Sequence, residues 1–136
     1  MNPEAMMSTE VEITLKEKLA EVDAAIAAYH EQIKVGEAIK RLEANEDYIT
    51  VVSHGYLEAE AERLMGLIVG DDPLRRESME NIIEAGLAIR NYKQYLRYKK
   101  LDAVQAVQNI EENLNYRKHI TENYAEDGTI IDAEEV

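Results

Sequence analysis

The chain has no cysteine, no tryptophan and no phenylalanine among its 136 residues, and only two prolines and six glycines. Without cysteine it can form no disulfide and no thiolate zinc site, and it has no thiol chemistry. So few glycines and prolines cannot supply the tight turns of a sheet built from short strands. These absences exclude disulfide-stabilised folds and disfavour β-rich ones.

Apolar residues nonetheless make up 46% of the chain, with sixteen alanines and eight tyrosines among them. Alanine, leucine and isoleucine without large aromatics favour helices that pack closely together. A chain of this length forms one domain with a modest core. We therefore predict an all-α fold in which a long N-terminal coiled-coil-like helix packs with a small antiparallel helical bundle.

Capping signals predict how the chain is organised. Thr9 and Glu12 form a capping box, Asn45 is a second cap, and Gly70 followed by Asp72 and Pro73 stops one helix and starts another. The predicted segments are a disordered leader over 1–8, a single helical domain over 9–125 and a flexible acidic tail over 126–136. Within the domain we expect a stalk helix over 9–44 and a helical core over 46–125.

Two stretches of the core allow alternative helix assignments. Residues 46–69 form either two short helices, 46–53 and 56–69, or one helix kinked at Gly55. Residues 73–124 form either two helices that meet near Asp102 or one long bent helix, because neither glycine nor proline separates the two halves.

Apolar residues of the stalk helix recur at alternating steps of three and four, the repeat of a coiled-coil seam. Such a narrow seam is stable only when it is buried, so it must pair with the C-terminal helix of the same chain or with a second copy. Beyond it, across Gly36, the pattern slips to Val35, Ile39 and Leu42. We predict a homo-oligomer whose interface is formed by Val11, Leu15, Leu19, Val22, Ile26, Tyr29 and Ile33.

The formal net charge of −13 is unevenly distributed. Residues 1–62 carry 14 acids against 5 bases and residues 101–136 carry 9 against 2, whereas residues 63–100 carry 8 bases against 5 acids. The acidic segments are either a solvated surface or arms that engage a basic partner or mimic nucleic-acid phosphates. Nucleic-acid binding by the whole molecule is disfavoured, because phosphates would be repelled.

One segment departs from the acidic background, since residues 90–100 hold five bases and three tyrosines. Basic side chains beside aromatic rings suit an internal or intersubunit contact with an acidic helix, a foreign acidic protein, or a single-stranded nucleic acid. The candidate partner-binding residues are Arg90, Tyr92, Lys93, Tyr95, Arg97 and Lys100.

Nothing in the sequence favours catalysis. The three histidines form no pair at metal-ligand spacing, and there is no phosphate-binding glycine loop or nucleophile elbow. Glu17 with Glu21, and Glu58 with Glu62, share helix faces that we expect to face solvent, whereas an acid–base or metal dyad needs burial in a cleft. We expect no enzyme, no metal site and no cofactor. No apolar run approaches the roughly 20 residues of a membrane span, so we expect no membrane association.

Four segments of the chain carry a family resemblance: residues 36–48, His54-Gly55-Tyr56-Leu57, a Glu-Ala-Glu-Arg-Leu helix over 60–64, and residues 89–96. Together they resemble small helical proteins of tailed bacteriophages. The resemblance covers about residues 36–100 and transfers no functional residue. It implies a viral origin and a role in particle assembly or host interaction, in the host cytoplasm or the virion.

These observations predict a non-enzymatic virion or particle-assembly protein that self-associates through its helices and contacts other virion or host proteins. The alternative is an acidic inhibitor that binds a basic site on a host defence or nucleic-acid-handling protein. A third possibility is an oligomer that binds a phosphate-bearing ligand through residues 90–100.

Overall fold

The computed structural model of the chain describes residues 14–70 and 78–123, and every regular element among them is helical. Helix α1 spans Leu15–Glu43, α2 spans Glu46–Tyr48, the π-helix π1 spans Ile49–Glu60, α3 spans Ala61–Val69 and α4 spans Met79–Asn123. The predicted all-α class is therefore confirmed. The leader, the Thr9 cap, the Asp72-Pro73 start and the acidic tail lie outside the described residues.

Side chains with short polar groups begin the helices. Thr14 Oγ1 accepts a hydrogen bond from the Glu17 N–H at 3.2 Å, and Ser78 Oγ accepts one from the Asn81 N–H at 3.2 Å. Asn45 Oδ1 accepts from the Tyr48 N–H at 3.1 Å, as its sequence position predicts. Each bond satisfies an N–H that a helix leaves without an internal partner.

Gly55 does not interrupt the helix, because it lies inside π1, which continues from Ile49 to Glu60. Over Ile49–Glu60 the backbone is wound more widely, and a Cβ at Gly55 would lie 3.0 Å from the Thr50 carbonyl oxygen. A run of β-branched residues at 49–52 has little helix propensity, which fits its location in the wider winding. Gly70 then ends α3 in an extended conformation.

The described residues belong to two compact units, and α1 and α4 contribute to both. Unit 1 contains residues 14–32 and 105–123, where the two helices run antiparallel. Val22 and Ile120 form its buried cluster, and Asp23 Oδ1 accepts a hydrogen bond from Arg117 Nε at 3.0 Å.

Unit 2, Ile33–Val104, contains the larger core. Leu64 of α3 packs with Ile82 and Ile89 of α4, and half-buried residues of π1 and α3 surround them. Gly36 is buried, and a Cβ there would overlap the Cβ of Ala103. The glycine therefore lets the backbones of α1 and α4 approach closely in this unit.

Burial along α4 follows a heptad repeat that its sequence conceals. Twelve of its seventeen buried and half-buried positions recur at steps of three and four: Ile82, Ala85, Ile89, Tyr92, Leu96, Lys99, Ala103, Ala106, Ile110, Asn113, Arg117 and Ile120. Seven of these are small or carry polar groups at their tips, so an apolar pattern alone does not reveal the seam. The helix continues through Asp102, so residues 79–123 form one helix.

On α1 the buried stripe continues from the seam to Gly36 and Ile39. The predicted slip to Val35 and Leu42 is wrong for those two residues, whose side chains are exposed. The repeat continues through Gly36, where the helices are in close contact although the residue has no side chain. A pattern of large apolar residues does not include such a position.

Candidate binding site

The basic segment of α4 contains no acidic residue from position 85 to position 101. Arg90, Lys93, Arg97 and Lys100 therefore have no carboxylate three or four residues away on their own helix, whereas Lys99 has Asp102. The fold separates the six predicted partner-binding residues into three groups with different surroundings.

Tyr92 and Lys100 point into unit 2 and are used internally. The Tyr92 hydroxyl lies 2.6 Å from the Tyr48 hydroxyl, and its ring meets the Tyr56 ring edge-on with centroids 6.2 Å apart. Lys100 Nζ donates to Glu43 Oε1 at 2.9 Å. These contacts connect α4 to α1, α2 and π1, so both residues stabilise the fold.

The hydroxyl pair changes the acidity of Tyr48. Burial raises the pKa of Tyr48 above its ordinary value, and the hydrogen bond with Tyr92 and the nearby Glu43 carboxylate raise it further. Each of these effects disfavours a phenolate at this position.

Removing that hydroxyl gives a direct measure of the internal contact. Tyr48→Phe should lower the free energy of unfolding near neutral pH by about 1 kcal/mol, because Tyr92 loses its partner. Because the pKa of Tyr48 is higher in the folded chain, this residue contributes stability below about pH 10 that is lost as the pH rises further. Urea unfolding at neutral and alkaline pH measures both effects, and Tyr48→Phe should reduce the alkaline loss. Tyr95→Phe is the control, and an equal loss near neutral pH in both variants would contradict this role.

Tyr95 forms the second group, because its side chain is half exposed and its ring carries the Lys99 ammonium 5.7 Å from the centroid. This cation–π contact shields the ring on one side. Tyr92 and Tyr95 thus lie in different surroundings and do not form one stacking surface.

Arg90, Lys93 and Arg97 form the third group, and together they line a pocket between α3 and α4. Ala61 contributes from α3, while Gly86, Ile89 and Gln94 complete the lining from α4, around a volume of about 350 Å³. Ile89 belongs to the buried core of unit 2, so the pocket has an apolar floor and a basic rim. We call this the basic pocket.

The three cations of the basic pocket form no ion pair with any described residue. Other cations of the chain do, since Lys18 pairs with Glu21, Arg63 with Glu60, Lys100 with Glu43 and Arg117 with Asp23. The acidic chain therefore leaves a local concentration of positive charge around one concave site.

A second heptad stripe runs along the solvent-facing side of α4 in unit 2. Its members are Ile83, Leu87, Arg90, Gln94, Arg97, Leu101 and Val104, at alternating steps of four and three, and all except the half-buried Gln94 are exposed. We call it the outer face of α4. The spacing of this stripe is present in the sequence, but the polar residues at its centre interrupt the apolar repeat.

The predicted oligomer-interface residues lie mainly in unit 1, apart from Ile33 and from Val11, which is outside the described residues. Leu15, Leu19 and Ile26 pack against the Val22–Ile120 cluster, and Tyr29 and Ile33 are half-buried. Of the two partners that the sequence allows, α4 of the same chain covers the seam in unit 1.

Within the described ranges, no three His, Asp or Glu side chains are placed to hold a metal ion. His54 Nδ1 lies 3.0 Å from Glu58 Oε2 on an exposed surface. The hydrogen bond from Arg63 lowers the pKa of Glu60. Across residues 14–70 and 78–123, no helix is long and apolar enough to cross a membrane.

No protein-family model matches the chain, and no curated protein or solved structure does so either.

Proposed function

We propose that this chain is a non-enzymatic bacteriophage protein that serves virion structure or particle assembly through self-association and contacts with other proteins. The observation that carries the proposal is the outer face of α4, a coiled-coil-like stripe with no partner in the described part of the chain. An exposed heptad stripe with apolar ends suits another helix.

The distribution of apolar side chains supports this reading. Among the described residues, eight apolar residues are buried while sixteen large ones are exposed. Single exposed apolar residues are ordinary, but four of these share the outer face of α4, where an intermolecular contact can bury them together.

Charge indicates what the partner surface carries. Arg90 and Arg97 occupy the middle of the outer face, so a partner that docks there needs carboxylates between its apolar ends. The chain itself has 28 acidic residues, and a second copy can therefore supply such a surface. Two outer faces packed directly on each other would instead place arginines together, which favours a heterologous contact.

The decisive experiment compares the parent with Leu87→Gln/Leu101→Gln. Both replacements keep the charge and lie at exposed positions, so the double variant should fold like the parent yet lose its self-association. Light scattering measures the mass, and circular dichroism verifies the fold. Val51→Gln, at an exposed site on π1, is the matched control and should keep the parent's mass. A monomeric parent at the highest attainable concentration would contradict self-association.

Particle association is tested separately by quantitative mass spectrometry of purified virions and procapsids from cells that produce the protein. Many copies per particle are expected from a structural or assembly component. Absence from both particle forms would contradict the assembly role and would favour the acidic inhibitor.

A further inference from the structure

The basic pocket has properties that packing against another helix does not require. It is concave, it lies between α3 and α4 within unit 2, and its volume of about 350 Å³ falls in the range of small-molecule sites. Its floor includes the buried Ile89 and its wall includes Ala61, so part of a ligand would leave water on binding.

The arrangement of charge around this pocket is unfavourable for the folded chain alone. Arg90 and Lys93 are three residues apart and Lys93 and Arg97 are four apart, and like charges at these spacings repel on a helix. No carboxylate occupies any position three or four residues from these cations, although acids are abundant elsewhere. A bound anion would relieve the repulsion and use the unpaired donors.

Spacing and chemistry restrict the ligand further. Arg90 and Arg97 are seven residues apart, so their backbone positions are separated by about 10 Å along the helix. A molecule with two or more acidic groups matches this separation better than one small anion such as chloride. Arginine forks bind phosphate and carboxylate groups in bidentate fashion, and Gln94 adds an amide donor and acceptor.

We propose that the basic pocket binds a small organic polyanion, with its apolar part on Ile89 and Ala61 and two or more phosphate or carboxylate groups at Arg90, Lys93 and Arg97. Arg90, Gln94 and Arg97 belong to both the basic pocket and the outer face, so a bound ligand and a docked partner would compete for these side chains. The two proposals are separated by Leu87 and Leu101, which lie on the outer face and do not line the pocket.

Gly86 provides a variant that fills the pocket without disturbing the core. A Cβ at this position meets no atom within 4 Å, and the residue lies in the interior of α4. Gly86→Met should therefore occupy the pocket with a flexible side chain and raise helix propensity. Gly66→Met in α3 is the matched control, because a Cβ there also meets nothing and Gly66 does not line the pocket.

The experiment is calorimetric titration of the full chain with ATP, pyrophosphate and citrate, each up to about 1 mM. ATP and citrate distinguish phosphate from carboxylate recognition, and pyrophosphate tests whether the apolar part of the ligand contributes. We expect saturable binding of at least one probe, weakened roughly tenfold or more by Gly86→Met and by Arg90→Gln/Arg97→Gln, and unchanged in Gly66→Met.

Three results would overturn the proposal. The first is no heat of binding from any of the three probes, and the second is equal affinity in the parent and in both pocket variants. The third is retention of a single-stranded oligonucleotide that Gly86→Met does not affect while the three probes fail, which would assign the cations to nucleic acid. Leu87→Gln/Leu101→Gln separates the proposals, because it should abolish self-association and preserve probe binding.

Discussion

Replacing Ile82 by alanine should lower the free energy of unfolding by about 2–5 kcal/mol. Ile82 is 0% exposed and packs with Leu64 and Ile89, so the truncation removes apolar contacts and leaves a cavity between α3 and α4. The loss is large because these residues form the main core of unit 2, and few other buried side chains can close the gap. Urea unfolding followed by circular dichroism measures it.

The neighbouring Ile83 is a matched control of the same residue type on the same helix. Its side chain is 48% exposed on the outer face of α4, so Ile83→Ala should change the free energy of unfolding by no more than about 0.5 kcal/mol. If the proposed function is correct, Ile83→Ala should also weaken self-association. Ile82→Ala should affect self-association only by unfolding the chain. Equal destabilisation by both variants would contradict the assignment of the two faces.

Replacing Gly36 by alanine should destabilise the chain by about 1–3 kcal/mol, although alanine is the better helix former. The added Cβ would overlap the Cβ of Ala103, and both atoms are attached to helix backbones that cannot move independently. Relief therefore requires α1 and α4 to separate locally in unit 2, at the expense of packing on both sides. Thermal unfolding under reversible conditions measures the change.

The control for Gly36 is Gly66→Ala, in α3, where the new Cβ meets nothing within 4 Å. This variant should stabilise the chain by up to about 1 kcal/mol through helix propensity alone. If the change in stability has opposite signs in Gly36→Ala and Gly66→Ala, the effect of close helix packing is separated from that of helix propensity. Stabilisation by Gly36→Ala would show that the two helices are not in close contact there.

Local signals predicted much of the helical structure. Asn45 caps a helix and Gly70 ends one, because each effect depends on hydrogen bonds and backbone angles within a few residues. The stalk seam was also visible, since large apolar residues repeat along it. The seam on α4 is not apparent from the sequence, because alanines and the stems of Lys99 and Arg117 occupy positions where a seam usually has leucine.

The sequence predicts which segment of the chain forms the candidate site, but not how the side chains of that segment are arranged in the fold. Residues 90–100 stand out by composition, yet the structure directs Tyr92 and Lys100 inward and leaves Arg90, Lys93 and Arg97 around the basic pocket. Helical periodicity assigns residues to faces of α4, but it cannot say which face meets another element. The contribution of Ala61 from α3 has no signal in the sequence at all.

The sequence by itself determined the all-α class, the local helix ends and the exclusion of disulfide and thiol chemistry, because composition and short-range hydrogen bonding decide these properties. Only the tertiary structure decided that α4 of the same chain covers the α1 seam in unit 1 and that three of the five bases in residues 90–100 share one pocket. Both outcomes depend on contacts between residues far apart in the chain. Such contacts follow from shape complementarity, such as the fit of Ala103 against Gly36, which no local pattern encodes.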